Sequence, residues 1–275
     1  MEFTSPSIVK ELFKKYKIKP SKGLGQNFLI DKRILDKIIS SAELKKDDLI
    51  LEVGPGIGNL TKELAKRVGQ VIAVEKDKKM VEILKENLIG FNNIKIIQED
   101  ILKLKIDDSI KKYKVVANIP YYLTSPLIRK FLENKKQPQE MILMIQKEVA
   151  QRVIAKPPKM NLLAISVQFY ANAKIISYVS KNCFWPIPKI DSAIIKITPN
   201  KKYDIDPNLF FKVVKAGFSH PRKQLVNNLI TLKFLNGVKL DKYKVTEWLL
   251  NNKLKPIQRP ETLYVSDWIK LTKKI

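Results

Sequence analysis

The fold is decided by Leu49-Ile50-Leu51-Glu52-Val53-Gly54-Pro55-Gly56-Ile57-Gly58, a short apolar run that opens into a glycine-rich turn. Leu49–Val53 has the length and apolar content of a buried strand. Leu60, Leu64 and Val68 then recur at helical spacing, and a second apolar run, Val71–Val74, follows directly. Asp77 stands where a cap is needed for a helix carrying Met80, Val81, Leu84 and Leu88 on one side. Strand, turn, helix and strand in this order predict β-α units, whose strands read as continuous apolar runs because both faces of a parallel sheet are covered.

Outward from this core, Ile94–Ile97, Val115–Ala117, Met141–Ile145, Ile175–Val179 and Ile190–Ile197 extend the series. Together they predict an α/β domain built on a parallel sheet. Upstream, Asp31 can cap a helix with Ile34, Leu35, Ile38 and Ile39 on one face, and residues 1–22 form a basic leader of weak periodicity. The pattern changes near Pro199. The stretch Thr198–Asn208 is polar and contains two prolines, as a linker would. Beyond it come only helix-like segments, Leu209–Ala216, Lys223–Leu232, Asp241–Leu250 and Val265–Leu271. The expected organisation is an α/β domain over residues 1–200 and a small all-helical domain over 201–275.

The chain has 275 residues and a net charge of +25, and 45% hydrophobic residues are enough for a sizeable core. No apolar run approaches the length of a membrane span, and Lys10, Glu11, Lys14 and Lys15 interrupt any signal-peptide pattern. One cysteine, Cys183, excludes an intramolecular disulfide and a cysteine-cluster metal site. These features predict a soluble, cytoplasmic protein with no membrane partner and no metal. The excess of cations asks for an anionic partner. Forty-six of the 52 basic residues are Lys, point charges suited to phosphate backbones. Residues 201–275 carry +10 over 75 positions against +15 over the preceding 200, so the helical part is the denser in charge and the expected RNA-binding domain.

The chemistry-bearing residues fall at strand ends. Gly54 and Gly56 let the backbone approach a ligand closely, but the G-x-G-x-G spacing lacks the third glycine position of a dinucleotide site. Preceded by Glu52, it resembles the nucleoside end of an S-adenosylmethionine site. Glu75 ends the second strand, where a carboxylate can accept from both ribose hydroxyls. Asp100, after Glu99, ends the third, within reach of an adenine amino group. The fourth signal is Asn118-Ile119-Pro120-Tyr121, entered directly from Val115–Ala117. The lone pair of a nucleobase amine is delocalised into its ring, so an enzyme that alkylates it must localise that pair and aim it at an electrophilic methyl. The Asn118 side-chain oxygen and the Pro120 carbonyl can accept the two amino hydrogens, and Tyr121 can stack on the base. Ser125 reads as the cap of the next helix, with Pro126 at its first position. The lone histidine, His220, lies away from these motifs.

With these motifs in place, the sequence resembles the ribosomal RNA adenine N6,N6-dimethyltransferase family, most closely its bacterial small-subunit branch. The resemblance spans nearly the whole chain. It includes Gly25-Gln26-Asn27-Phe28-Leu29, the glycine-rich turn, Glu75, Asp100, the Asn118–Tyr121 element and Gln146-Lys147-Glu148-Val149. It continues through Phe184-Trp185-Pro186-Ile187-Pro188-Lys189-Ile190-Asp191-Ser192-Ala193, Phe218–Leu225 and Arg259-Pro260-Glu261-Thr262-Leu263. The resemblance implies a Rossmann-like S-adenosylmethionine-dependent methyltransferase domain with a small C-terminal helical domain. It implies Asn27, Leu29, Gly54, Gly56, Glu75, Asp100 and Asn118 at the cofactor, and Asn118, Pro120, Tyr121 and Phe184 at the target base, with Phe184 and Tyr121 sandwiching it. The implied reaction dimethylates N6 of two adjacent adenosines in the 3′-terminal hairpin loop of small-subunit (16S) ribosomal RNA. The enzyme is expected to act as a monomer in ribosome biogenesis, on that RNA or a pre-30S particle. Two alternatives stand beside it: the antibiotic-resistance branch that methylates large-subunit RNA, and a non-catalytic RNA-binding assembly factor. The Gly25–Leu29 and Phe184–Ala193 segments favour the small-subunit branch, and the intact Asn118–Tyr121 element argues for catalysis.

Overall fold

A computed structural model describes residues 5–21, 23–107, 109–200, 203–235 and 237–273. In chain order the elements begin with α1 (Pro6–Lys15), β1 (Phe28–Leu29), α2 (Lys32–Ser41), β2 (Leu49–Val53), α3 (Asn59–Ala65), β3 (Gln70–Glu75), α4 (Lys78–Asn87) and β4 (Ile94–Gln98). There follow β5 (Lys114–Asn118), α5 (Thr124–Glu133), β6 (Met141–Gln146), α6 (Lys147–Val153), α7 (Leu162–Tyr170), β7 (Ala171–Val179), β8 (Phe184–Trp185) and β9 (Ser192–Pro199). The chain ends with α8 (Pro207–Gly217), α9 (Leu225–Leu229), β10 (Phe234–Leu235), β11 (Val238–Lys239), α10 (Lys242–Asn251) and α11 (Val265–Lys273).

The chain divides into two compact units. The first comprises 1–150 and 172–199 and holds a seven-stranded sheet of order β4-β3-β2-β5-β6-β9-β7. Strands β2 to β6 run parallel, with Val53 opposite Val74 and Ala117 opposite Leu143; β2, β3, β5 and β6 are buried almost throughout, whereas the edge strand β4 is only partly covered. The expectation of a wholly parallel sheet needs correction, because β9 pairs antiparallel to β6 over six residues. The cause is connectivity: β9 returns through β8 rather than through a crossover helix. Asp31 and Asp77 cap α2 and α4 through the N–H groups of Arg33 and Lys79, as expected. Helix α5 starts two residues earlier than expected, with Leu123 rather than Ser125 at the cap position and Thr124 rather than Pro126 as its first residue. A 3-10 turn at Tyr121–Leu123 runs straight into Thr124, and no side chain caps the junction.

Within the leader, Pro6–Lys15 form a helix that its weak periodicity did not announce. Val9, Leu12 and Phe13 of α1 are buried against Phe28, Ile57, Met80 and Ile83, with Phe13 edge-on to both Phe28 and Trp185.

The second unit comprises 151–171 and 200–275, so the expected single boundary at residue 200/201 is also corrected. Helix α7 explains the exchange. Its Ala164, Ile165 and Phe169 enter a core with Phe210, Val214, Leu249 and Trp268, and the Phe169 ring stacks on Phe210 with centroids 4.2 Å apart. This segment adds Arg152, Lys156 and Lys159 and no acid to the basic unit. The unit is not wholly helical, since β10 and β11 form a two-stranded antiparallel ribbon. Among the described residues no helix is long and apolar enough to cross a membrane.

Candidate active site

Strand order reverses on either side of β2, whose neighbours β3 and β5 leave it in opposite directions along the sheet. In a parallel α/β sheet a crevice opens at the carboxyl ends of such strands. Here it is lined by Gly25–Leu29, the β2 turn, Glu75, Glu99–Leu102, Asn118–Leu123 and Phe184.

The β2 turn needs its glycines. Gly54 and Gly56 have φ of +65° and +58°, in the left-handed region that side chains avoid. A Cβ on Gly56 would stand 3.0 Å from the Phe28 ring, so the ring and the turn form one wall of the crevice. Gly54 lies beneath the Pro120 ring. The segment carrying Asn27 is held from several sides. The Gln26 side chain donates to Asp77 (2.9 Å) and accepts from the Ser21 N–H (2.8 Å), and Asn59 donates to the Leu29 carbonyl (2.9 Å).

Glu75, 8% exposed, accepts from the Gly56 N–H at 3.2 Å and the Asp77 N–H at 2.8 Å. Burial pushes its pKa up against the lowering effect of these N–H groups. Each oxygen keeps acceptor capacity, which is what a ribose diol needs. Asp100 accepts from the Leu102 N–H and pairs with Lys76 at 2.9 Å, and the Lys76 contact holds its pKa below the usual carboxylate range. Glu52 is 1% exposed and burial pushes its pKa up to about 8; one of its oxygens, Oε2, is buried with no partner.

Asn118 ends β5, and its Nδ2 donates to the Asn27 carbonyl at 3.4 Å, which leaves Oδ1 as the acceptor of the amide. The Pro120 carbonyl accepts the Leu123 N–H at 2.9 Å, so one of its two lone pairs is committed to the 3-10 turn. The Tyr121 hydroxyl meets the Ser192 hydroxyl at 2.9 Å, tying the ring to the start of β9. Phe184 joins this wall because β8 pairs with β1, Phe184 opposite Leu29. It is 1% exposed and packed among Leu29, Leu35, Ile38 and Met144, so in this structure it is a core residue as well as a wall residue.

The crevice thus gathers Asn27, Leu29, Gly54, Gly56, Glu75, Asp100, Asn118, Pro120, Tyr121 and Phe184. Phe28, Asn59, Lys76, Ile101 and Leu102 also line it and were not singled out in sequence. Position could have found Lys76, Ile101 and Leu102, which directly follow Glu75 and Asp100. Electrostatics select the ligand. Within a chain of net charge +25, the ionisable side chains of this crevice, among the described residues, are Glu52, which keeps its proton at neutral pH, the acids Glu75, Glu99 and Asp100, and one cation, Lys76. A pyrophosphate would be repelled. S-adenosylmethionine has a net positive charge, from a sulfonium and an ammonium against one carboxylate, together with a ribose diol and an adenine amino group, and the residues present fit it.

The family model described as ribosomal RNA adenine dimethylase matches residues 17–271. Ribosomal RNA small subunit methyltransferase A of Dehalococcoides mccartyi (strain CBDB1) is 42% identical over 280 residues, covering 98% of this chain and 94% of the relative. The protein of that name from Clostridioides difficile (strain 630) is 40% identical over 276 residues, covering 96% and 94%. Among solved structures, a dimethyladenosine transferase from Plasmodium falciparum superposes with a TM-score of 0.76 at 29% identity, covering 89% of this chain and 97% of that one. The 23S rRNA methyltransferase ErmE gives 0.72 at 25% identity, covering 90% and 99%. A family model matching residues 17–271 and relatives 40–42% identical over nearly the whole chain place it in the ribosomal RNA adenine dimethylase family.

Proposed function

We propose that this chain is an S-adenosylmethionine-dependent enzyme that dimethylates N6 of two adjacent adenosines in the 3′-terminal hairpin loop of small-subunit ribosomal RNA. The observation that carries the reading is the acidic crevice at the switch point ending in Asn118–Tyr121. When bound, the cofactor supplies an electrophilic methyl group on a sulfonium. Glu75 would hold the ribose, Asp100 the adenine amino group, and the glycine turn at Gly54 the methionine end. Asn118 Oδ1 and the free lone pair of the Pro120 carbonyl accept from the target amine and turn its lone pair out of the ring. Tyr121, fixed by Ser192, stacks on the extruded base, with Phe184 at the opposite wall. No general base is required, because a newly alkylated aminium is acidic and loses its proton to water.

The small-subunit target is favoured over the large-subunit branch by identities of 40–42% to proteins named for the small subunit, against 25% to ErmE. The basic helical unit supplies the phosphate contacts, and the enzyme works as a cytoplasmic monomer on the RNA or a pre-30S particle. Incubation with labelled cofactor and undermethylated small subunits, followed by mapping of modified bases, tests the reading. Label at two adjacent adenosines near the 3′ end supports it; label confined to large-subunit RNA, or none, overturns it.

A further inference from the structure

The site described so far holds one base, whereas the proposed substrate presents two adjacent adenosines, so a place for the neighbouring base is needed as well. The sheet offers a place for it. Tyr121 is anchored to Ser192, the first residue of β9. The residue before Ser192, Asp191, is itself a junction. Its carbonyl accepts the Lys147 N–H at 3.0 Å and its carboxylate accepts the Lys181 N–H at 3.1 Å. From this junction Lys147 extends its ammonium over the Tyr178 ring, 5.3 Å from the centroid. Tyr178 lies on β7, at the edge of the sheet, and is 52% exposed.

An aromatic ring open to solvent, with a cation over it, is the arrangement that single-stranded nucleic acid uses. The ring stacks on a base of any identity, while the cation meets the adjoining phosphate. A solvent-exposed tyrosine on a sheet edge needs no explanation by itself. Three things distinguish this one. It is paired with a cation, its pair is hydrogen-bonded into the residue next to the anchor of Tyr121, and Lys181 comes off the same junction. The Lys147 ammonium beside the ring suits a phosphate backbone better than an apolar protein partner.

We propose that Tyr178 and Lys147 form a second nucleotide subsite, in which the base adjoining the target adenosine stacks on Tyr178 and its phosphate meets Lys147. This rests on the RNA methylation reading above. Holding the neighbour there fixes which adenosine enters the pocket beside Tyr121.

The test uses the full chain and an RNA hairpin whose loop carries two adjacent adenosines, one replaced in turn by fluorescent 2-aminopurine. With wild-type protein, the probe beside the target should be quenched by stacking on binding. In Tyr178→Ala that quenching should be lost and the KM for RNA should rise roughly tenfold, with an unchanged melting temperature as the check on folding. Tyr178→Phe should restore both, and Lys147→Gln should lower the salt slope of RNA affinity by about one phosphate contact. Equal quenching and equal KM in wild type and Tyr178→Ala, with methylation intact, would overturn the subsite and leave the reaction standing. A wild-type protein that neither binds nor methylates the hairpin would overturn both. Tyr178→Ala that keeps RNA binding but loses a protein partner would also overturn the subsite.

Discussion

Glu52 offers the sharpest link between burial and behaviour. Its carboxyl group is 1% exposed, and the leading cause of its raised pKa is desolvation, with the nearby Glu75 charge acting in the same direction. In the unfolded chain it titrates near the ordinary 4.5, whereas in the folded, cofactor-free protein it titrates at about 8. Between these values the folded state keeps a proton that the unfolded state has lost, so stability falls as pH rises through the window and levels off above pH 8. At about 1.4 kcal/mol per unit, the window spans on the order of 5 kcal/mol. Glu52→Gln keeps the shape and removes the titration. Urea unfolding of the cofactor-free protein between pH 5 and 9 should show wild-type stability declining with pH, and a Glu52→Gln profile flatter by about that amount and higher at pH 8. Parallel profiles for the two proteins would refute the assignment of a protonated, buried Glu52.

Glu75→Ala should weaken S-adenosylmethionine binding roughly tenfold to hundredfold, the loss of about 1.5–3 kcal/mol of charge-assisted hydrogen bonding, read by calorimetry on folded protein. Phe184→Ala should cost about 3–5 kcal/mol of folding stability as well as RNA affinity, because the ring is packed in the core; thermal unfolding separates it from Tyr121→Ala, which should act mainly on RNA saturation. In the helical unit, Arg222 and Lys223 are exposed between α8 and α9, and reversing both to Glu should lower the salt slope of RNA affinity by roughly one to two. Deletion of 201–275 is a poor substitute for this, because it would strip the apolar face of α7 of its partners.

Much of the architecture could be read along the chain because its signals are local. Apolar runs predicted β2 to β6 closely, and Asp31 and Asp77 announced the starts of α2 and α4. What escaped depends on partners distant in sequence. An apolar run has no direction, so the antiparallel entry of β9 beside β6 left no trace in composition. The Thr198–Asn208 linker was visible, but the membership of α7 in the helical unit depends on Phe169 meeting Phe210, 41 positions away. Lysines around Val9, Leu12 and Phe13 obscured the buried stripe of α1. The site follows the same rule. Gly54, Glu75, Asp100 and Asn118 stand at strand ends and were legible; the Gln26–Asp77 and Lys76–Asp100 contacts, which hold its walls, join residues 51 and 24 apart.

In the proposed reaction, Asn118 and the loop it begins position the target amine for transfer. Single-turnover methylation at saturating RNA and cofactor, with mono- and dimethyladenosine counted separately, tests it most directly. Asn118→Ala should cut the rate of both methylations by on the order of a hundredfold or more, as loss of a preorganised polar contact does, while cofactor and RNA still bind. Near-normal rates for both methylations in that variant would contradict the account.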